Sequence, residues 1–313
     1  MDDHSTDATG ALLAAIAADD SRLHVVVPPP LPDDWFGKQW ACTAGARAAR
    51  GDVLAFFDAD TWQEPDLVTR CINAMRAREA DFLSVVGTQA LGTFWERVVQ
   101  PQMLALMLAR FGGTETVNRS SLAENKIANG QCIFMRRDAY DTTGGHEAVR
   151  DRPAEDLALA QRWFLLGRKC FLVLGLDQFT TRMYTSLGTL LEGWGKNVFA
   201  AGRETIGGGR AGQAIYPLLL LLPAIVGLAP PLMMMLAAFG VVGSEAALWA
   251  TVALGANLVW WLLVYLWLDF GLVRAVGYTV ASPLGALVML YITAKAIVRG
   301  RRVRWKGREY LAA

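Results

Sequence analysis

Two aspartates at the end of an apolar stretch have the type and spacing to do chemistry. Asp58 and Asp60 follow Val53 to Phe57, a short, continuously apolar run typical of a strand buried on both faces of a parallel sheet. Because side chains alternate along a strand, both carboxylates are predicted to point the same way just beyond its carboxyl end, where open α/β sheets bind ligands. Adjacent carboxylates repel each other unless a cation separates them, and their hard oxygens suit Mg²⁺ or Mn²⁺, with a diphosphate as third partner. An isolated Asp-x-Asp is more often a solvated pair in a turn. The neighbouring residues must therefore decide between a turn and a metal site.

A second acidic pair, Glu155 and Asp156, follows Pro153 and opens a predicted helix that runs to Gly167. Acidic residues in a first helical turn interact favourably with the helix dipole. A purely structural role for both carboxylates is therefore a serious alternative to a catalytic one.

Strands and helices must alternate to bring these residues to one sheet edge. Leu23 to Val27 is predicted to be a second buried strand, which the proline run after it ends, and a loop containing Lys38 follows. Ala41 to Arg50 is predicted to be a small-residue helix that packs closely on the sheet. Phe82 to Val86 and Gly130 to Met135 have the composition of further strands. This order predicts an α/β fold built from right-handed βαβ units.

Composition divides the chain. Hydrophobic residues make up 53% and charged residues 19% of the 313 residues, which is too apolar for an ordinary soluble protein. Charged residues are frequent up to Arg210 and nearly vanish until Arg299, with a glycine run, 207–209, near the boundary. We expect a catalytic domain over residues 1–206, a membrane region over 207–298 and a basic cytoplasmic tail over 299–313.

Three apolar stretches occupy the membrane region. Ala246 to Leu268 and Val276 to Ile297 are uncharged apart from their flanks and long enough to span a bilayer. Ile215 to Val242 contains Pro223 and Pro230-Pro231, which are expected to break a helix and free backbone groups that lipid cannot satisfy. That stretch is therefore predicted to be a re-entrant or interfacial hairpin beneath the active site.

The basic tail and the cysteines bear on location. By the positive-inside rule the tail should be cytoplasmic, and its basic residues are Arg299, Arg301, Arg302, Arg304, Lys306 and Arg308. The four cysteines show neither a C-x-x-C pair nor metal-ligand spacing, which indicates reduced thiols of a cytoplasmic domain.

Four motifs, in order and spacing, resemble a family 2 glycosyltransferase of GT-A fold. They are Asp2-Asp3-His4-Ser5, Trp35-x-Gly37-Lys38, Asp58-x-Asp60 and Glu155-Asp156. The C-terminal apolar stretches and the ending Arg304-Trp305-Lys306-Gly307-Arg308-x-Tyr310 are similar to those of bacterial membrane glycosyltransferases of the hopene-associated and carotenoid-glycosylating kind, relatives of ceramide glucosyltransferase. The resemblance implies a Rossmann-like mixed, mostly parallel sheet followed by transmembrane helices.

The resemblance also implies residue roles. Asp3, with Asp2 beside it, would contact the uridine of a UDP-sugar, and Lys38 would lie near the nucleotide or its diphosphate. Asp60, helped by Asp58, would hold a divalent Mg²⁺ or Mn²⁺ on the diphosphate. The Asp156 carboxylate would be the general base that takes the proton of the acceptor hydroxyl. Direct displacement at the anomeric carbon needs both a stabilised leaving group and such a base.

The chain departs from the family pattern in two places. Relatives begin with a strand before the segment matching Asp2-Asp3, so the resemblance implies that the first strand is missing here. Many relatives carry Gln-x-x-Arg-Trp on an interfacial helix, and in the corresponding segment of this chain only Trp194 agrees. Lys196 is expected to supply the missing cation towards the phosphates. This departure favours transfer of a single sugar over processive synthesis of a polymer.

The leading hypothesis is an inverting, metal-assisted hexosyltransferase that moves a sugar from a UDP-sugar to a hydroxyl of a membrane lipid. It would be a multi-pass protein of the inner (plasma) membrane with a cytoplasmic catalytic domain, and nucleic acid is not an expected partner. The alternative is a truncated, catalytically inactive membrane subunit or scaffold of the same fold. A processive synthase with a channel would need more spans than the sequence offers.

Overall fold

The chain forms two compact units. The computed structural model describes residues 1–207, 209–300, 302–305 and 308–311, so Gly208, Arg301, Lys306 and Gly307 of the predicted boundary and tail lie outside the described residues. The first unit comprises Met1–Gln89, Thr114–Thr181 and the chain end from Tyr310, and the second comprises Ala90–Gly113 and Arg182–Glu309. The division into domains over 1–206, 207–298 and 299–313 stays a prediction.

Helices and strands alternate in the first part of the chain, and long helices dominate the last. In chain order they are α1 (Thr9–Asp19), α2 (Gly37–Ala48), β1 (Val53–Phe57), β2 (Thr61–Gln63), α3 (Leu67–Arg78), β3 (Phe82–Val86), β4 (Thr88–Gln89), α4 (Phe94–Phe111), α5 (Thr114–Arg119), β5 (Cys132–Arg136), α6 (Arg137–Thr143), α7 (Glu155–Leu165), β6 (Cys170–Leu174), β7 (Phe179–Thr181), α8 (Leu187–Thr205), α9 (Gly209–Ala238), α10 (Ser244–Trp267), α11 (Leu272–Arg299), β8 (Arg302–Trp305) and β9 (Arg308–Leu311). Short 3₁₀ turns cover Ala123–Asn125 and Gly145–Val149.

A mixed four-stranded sheet in the order β1-β5-β3-β6 organises the first unit. Strand β5 runs antiparallel to β1 and β3, whereas β3 and β6 are parallel. Three of the four strands therefore share one direction, and the predicted α/β class with a mixed sheet is confirmed. A smaller sheet, β2-β7-β4, lies in the same unit.

The two central strands are buried on both faces, which explains their continuous apolar sequence. Phe82 packs with Met135 and Trp163 in one cluster, and its neighbour Leu83 packs with Phe134 and residues of α3 in another. Alternating side chains of one strand thus enter two cores, as strand geometry requires.

The predicted burial of the strand before Asp58 is wrong. β1 is an edge strand of the four-stranded sheet; only Leu54 is buried, and Phe57 is 37% exposed. An edge strand has a neighbour on one side only, so flanking elements cover less of it.

The predicted strand from Leu23 to Val27 is also not formed. This segment is largely exposed, and among the described backbone hydrogen bonds it receives one from Asp2 N to Val26 O, 3.0 Å long. Apolar side chains alone do not make a strand, because a strand exists through the ladder of a neighbour.

The second unit contains three helices long and apolar enough to cross a membrane: Ala211–Ala238, Ser244–Trp267 and Leu272–Arg299. The hairpin predicted for Ile215 to Val242 is wrong, because α9 is one helix that holds Pro217, Pro223, Pro230 and Pro231 inside it. Each proline removes one N–H donor, and helices in a membrane tolerate this where neighbouring helices and local adjustments satisfy the freed carbonyl groups.

Candidate active site

A lysine bridges two acidic side chains in the first unit. The Lys38 Nζ atom lies 2.8 Å from Asp58 Oδ1 and 2.7 Å from Glu155 Oε1, and it donates a hydrogen bond to the Gly130 carbonyl at 3.3 Å. Burial opposes the charge of Lys38, but the carboxylates of Glu155 and Asp58 outweigh it and hold the pKa of this ammonium well above its ordinary value. Lys38 is therefore a permanent cation.

The predicted base lies beside this ion pair. Asp156 Oδ2 accepts a hydrogen bond from the Gly130 amide at 2.8 Å, and Oδ1 accepts one from the Leu157 amide at 2.8 Å. Burial, and next the adjacent Glu155 carboxylate, raise the pKa of Asp156 to about 6, against the opposing effects of Lys38 and of the two amides. Lys38, Asp58, Glu155, Asp156 and Gly130 form what we call the lysine cluster.

Backbone contacts bring these distant segments together. The Asp58 amide donates to the Gln131 carbonyl at 3.1 Å, which extends the β1–β5 ladder by one step and places Asp58 next to Gly130. Asn129, before Gly130, is held by Ser84 of β3, whose hydroxyl accepts from the Asn129 amide at 2.7 Å. The cluster is thus built at the end of three neighbouring strands.

The start of α2 is fixed to the segment that leads into α7. The Phe36 amide donates to the Arg150 carbonyl at 2.9 Å, and the buried Gln39 side chain donates to the Arg152 carbonyl at 2.6 Å. Lys38, predicted to lie in a loop, instead occupies the first turn of α2. This rigid support directs its ammonium towards α7.

The Asp58 and Asp60 pair stands where β1 gives way to β2. The Thr61 hydroxyl donates to the Asp58 carbonyl at 2.5 Å, and the Thr181 hydroxyl of β7 donates to the Asp60 carbonyl at 3.3 Å. The Asp58 side chain is 30% exposed, and Asp60 is exposed. The backbone of the pair is thus held by the protein, while the Asp60 side chain is exposed and the Asp58 side chain is paired with Lys38.

These two carboxylates fit a divalent cation that arrives with a diphosphate. Within the described residues no group of three or more His, Cys, Asp or Glu side chains has metal-binding geometry. Mg²⁺ commonly takes one or two carboxylates, with phosphate and water oxygens completing its shell, rather than a cage of protein ligands. The donor set therefore fits a shared protein–phosphate site and not a resident structural metal.

The N-terminal acidic residues lie near the start of α1. Asp2 accepts a hydrogen bond from the Ser5 amide at 3.0 Å, which together with the Ser5 side chain lowers the pKa of its exposed carboxyl, and Asp3 is exposed. The predicted uridine contact of both residues stays a prediction.

Trp194 and Lys196 lie on α8 in the second unit. The Trp194 indole is buried, and its N–H donates to Gln100 Oε1 at 2.8 Å. Lys196 is half-buried. The expected roles of both residues towards the donor stay predictions.

The structure adds Glu155 and Gly130 to the predicted site. Glu155 had a visible signal, since it adjoins Asp156, but its sequence position did not reveal the Lys38 contact. Gly130 precedes β5 and carried no chemical signal at all, because its contribution comes from its backbone.

Cys42 and His146 lie near these charges and are inert at neutral pH. Burial raises the pKa of the Cys42 thiol to about 12. Burial also lowers the pKa of His146 to about 4, and its Nδ1 atom is 3.0 Å from the Tyr140 hydroxyl. Both side chains are therefore neutral.

The mixed sheet of the first unit defines a GT-A-like fold. A mannosyltransferase from Pyrobaculum calidifontis, PcManGT, solved in complex with GDP-Man and Mn²⁺, matches with a TM-score of 0.50 at 17% identity over 95% of this chain and 75% of its own. This similarity establishes the fold.

Sequence comparison agrees with this fold. Residues 1–144 match the family described as Glycosyl transferase family 2. The 4,4'-diaponeurosporenoate glycosyltransferase of Staphylococcus haemolyticus is 25% identical over 214 residues, which cover 66% of this chain and 54% of the relative. The chain thus spans about half the length of that relative. The family match over residues 1–144 contains Lys38, Asp58, Asp60 and Gly130. Glu155 and Asp156 come after it in the chain.

Proposed function

We propose that this protein transfers a single sugar from a nucleotide-sugar, with UDP as the expected nucleotide, to a hydroxyl of a membrane lipid, with inversion at the anomeric carbon. The observation that carries the proposal is the lysine cluster. On one side of this cluster are Asp58 and Asp60, which are suited to bind a metal-bound diphosphate. On the other side is the half-buried Asp156 carboxylate, which is suited to remove a proton.

The donor side of the reaction belongs to Asp58 and Asp60. A divalent cation bound there would neutralise the diphosphate and stabilise it as a leaving group. Lys38 Nζ lies 2.8 Å from Asp58 Oδ1, and it supplies a second positive charge on this side. The named donor and metal of PcManGT support this assignment by similarity of fold.

The acceptor side belongs to Asp156. Each of its two oxygens accepts one backbone N–H and keeps a further lone pair for the acceptor hydroxyl. With a pKa of about 6 the carboxylate is ionised at neutral pH, yet it is more basic than an ordinary aspartate, as general-base catalysis favours. Attack from the side opposite the diphosphate gives inversion.

A membrane lipid is the proposed acceptor because the chain carries three candidate spans. The staphylococcal relative is named for a carotenoid acid. Nucleotide-sugars are cytoplasmic, so we place the catalytic residues on the cytoplasmic side.

The packing of α11 supports one arrangement of the three apolar helices in the membrane. Its most apolar window is 39% buried within the protein, against 17% for α9 and 11% for α10. It also makes polar contacts with α4: the Ser282 carbonyl accepts from Gln102 Nε2 at 2.7 Å, and Arg97 Nη1 donates to the Tyr278 hydroxyl at 3.0 Å. We infer that α9 and α10 cross the bilayer while α11 lies along α4, which leaves the catalytic residues and the basic tail on the same side.

Single cysteines test this orientation. In a variant without the four native cysteines, Val241→Cys, between α9 and α10, should react with an impermeant maleimide in intact cells. Gly271→Cys, between α10 and α11, should react only after lysis. Labelling of Gly271→Cys in intact cells would contradict the proposed crossings.

The activity is tested with the full chain in nanodiscs. Release of nucleoside diphosphate from UDP-glucose, UDP-N-acetylglucosamine and GDP-mannose should be measured with hydroxylated membrane lipids, in Mn²⁺ and in EDTA. The proposal expects lipid-dependent release that EDTA abolishes and that Asp156→Asn lacks. Binding of lipid without turnover of any donor would instead support the inactive subunit or scaffold.

A further inference from the structure

The two backbone groups of Gly130 face different members of the lysine cluster. Its carbonyl accepts from Lys38 Nζ at 3.3 Å, whereas its amide donates to Asp156 Oδ2 at 2.8 Å. A methyl group added at this glycine would lie 2.9 Å from Asp156 Oδ2, closer than real Cβ contacts, and 3.1 Å from Asp156 Cβ, tighter than most of them. The position of the base therefore depends on a bare backbone at residue 130.

The Lys38 ammonium forms ion pairs with two carboxylates that differ in how deeply they are buried. The Glu155 side chain is 8% exposed, and it belongs to the first turn of α7, the helix that carries Asp156. The Asp58 side chain is 30% exposed and adjoins Asp60 on the donor side. The Lys38 ammonium thus contacts Asp58 on the donor side, Glu155 next to the base, and the carbonyl of Gly130, whose amide binds the base.

We propose that Glu155, Lys38 and Gly130 are positioning residues that couple occupation of the donor site to the placement of Asp156. This inference rests on the proposed function. Glu155 acts through Lys38 and not as a second base. The Lys38 ammonium holds Gly130 through its carbonyl, and the Gly130 amide fixes the Asp156 oxygen that faces it.

Electrostatics gives the coupling a direction. A cation held by Asp58 and Asp60 would compete with the Lys38 ammonium for the Asp58 carboxylate, since like charges at close range disfavour each other. Lys38 would then keep Glu155 and the Gly130 carbonyl as its nearest protein partners. Occupation of the donor site would therefore favour the contacts that place the base.

A double-mutant cycle tests whether Glu155 acts through Lys38. The variants are Glu155→Gln, Lys38→Gln and both together, and the readouts are kcat and the dissociation constant of UDP with Mn²⁺. Glu155→Gln should lower kcat by roughly 10- to 100-fold while the dissociation constant changes by less than about threefold. In the Lys38→Gln background, the same change should alter kcat by less than about threefold, because residues that act as a unit are not additive.

Two further variants separate positioning from folding. Glu155→Asp keeps the charge and should recover part of the kcat that Glu155→Gln loses. If the kcat losses of the two single variants multiply in the double variant, Glu155 and Lys38 act independently and the coupling is overturned. A Glu155→Asp protein with no higher kcat than Glu155→Gln would overturn it too.

Gly130→Ala tests the last link, with Gly51→Ala as a matched control. A methyl group at Gly51 would meet only the Val53 carbonyl at 3.5 Å, an ordinary contact. Gly130→Ala should lower kcat at least about tenfold while the binding of UDP with Mn²⁺ is retained. Gly51→Ala should leave both kcat and this binding unchanged. Equal kcat in the two alanine variants would overturn the role of Gly130. Should Gly130→Ala fail to fold, as a thermal melt would show, the Glu155 cycle decides alone.

Failure of this coupling is distinguishable from failure of the proposed function. If Asp156→Asn keeps full transfer activity, the proposed base is wrong whatever the cycle shows. If Asp156→Asn is inactive but Glu155 and Lys38 contribute independently, the function stands and only the coupling falls.

Discussion

Two groups of polar side chains, one in each unit, are paired in opposite ways. The lysine cluster of the first unit sets three carboxylates, those of Asp58, Glu155 and Asp156, against one ammonium. In the second unit, α4 buries Glu96, Gln100 and Gln102, which we call the α4 polar row. The first group has excess negative charge, and the second is neutralised.

Each member of the α4 polar row has a specific partner. Glu96 Oε1 accepts from Arg182 Nε at 2.9 Å, and the Glu96 side chain also closes a capping box with Thr93 at the start of α4. Gln100 and Gln102 pair with Trp194 Nε1 and with the Ser282 carbonyl. Such closed pairing makes buried polar groups tolerable and specifies how helices pack.

The difference separates function from architecture. Surplus charge in a partly buried site costs stability unless a ligand compensates it, so its retention indicates a cation or a reacting group. A fully paired row needs no ligand. Changes in the lysine cluster should therefore reduce catalysis, whereas changes in the α4 polar row should reduce stability.

The largest effect is expected for Asp156→Asn. Removal of a general base should lower kcat by about 10²- to 10⁴-fold while UDP binding is kept, as rapid-quench kinetics and calorimetry would measure. Glu79→Gln, at an exposed ion pair with Lys169, serves as an acidic control and should be neutral. Loss of UDP binding or unfolding in Asp156→Asn would favour a helix-capping role for this residue.

Asp60→Asn should come next, with roughly a 100-fold loss of transfer in a protein that stays folded and membrane-bound. The loss follows because one charged ligand of the donor-bound cation is gone. Titration of UDP binding with Mn²⁺ should show a higher metal requirement. Undiminished turnover at saturating Mn²⁺ would remove Asp60 from the metal site.

The pH dependence of kcat should show a loss on the acidic side. Burial and Glu155 raise the pKa of Asp156 to about 6, and only the ionised carboxylate accepts a proton, so kcat should fall tenfold per pH unit below about 6 and level off above it. A plateau that extends unchanged to pH 4.5 would exclude Asp156 as the group that titrates.

Glu96→Gln should act on stability and not on catalysis. It leaves Arg182 without its charged partner and is expected to lower the free energy of unfolding, seen as a lower thermal midpoint. Glu245→Gln, at the exposed start of α10, is the control. A variant that keeps its stability but loses kcat would break the contrast between the two regions.

The smallest effect is expected for Trp194→Phe. This change removes the donor to Gln100 Oε1 and should cost about 1–3 kcal/mol, whereas Trp267→Phe, at an indole that is 77% exposed, should cost less. The KM for the nucleotide-sugar should also be measured in both tryptophan variants. An increase confined to Trp194→Phe would confirm the predicted donor contact, and an unchanged KM would leave the indole a purely structural role.

Local sequence was sufficient for features that depend on neighbouring residues. The apolar runs of β3 and β5 predicted strands, because a segment buried on both faces has to be apolar throughout. The long apolar helices α10 and α11, whose few charged residues lie near their ends, followed equally from composition. Asp58, Asp60 and Asp156 were identified because carboxylates at the ends of predicted elements have a chemical signature.

Tertiary structure alone decided what depends on partners far along the chain. Val53 to Phe57 became an edge strand and Leu23 to Val27 formed no strand, since pairing is a property of the neighbour and not of the segment. Prolines predicted to break α9 remain inside one helix, because packing with neighbouring helices stabilises it. The Lys38–Gly130 and Lys38–Glu155 contacts join residues 92 and 117 positions apart, and the Gly130–Asp156 contact uses the amide of a glycine 26 positions away. No local pattern encodes such contacts, because they arise only when β1, β5, α2 and α7 meet.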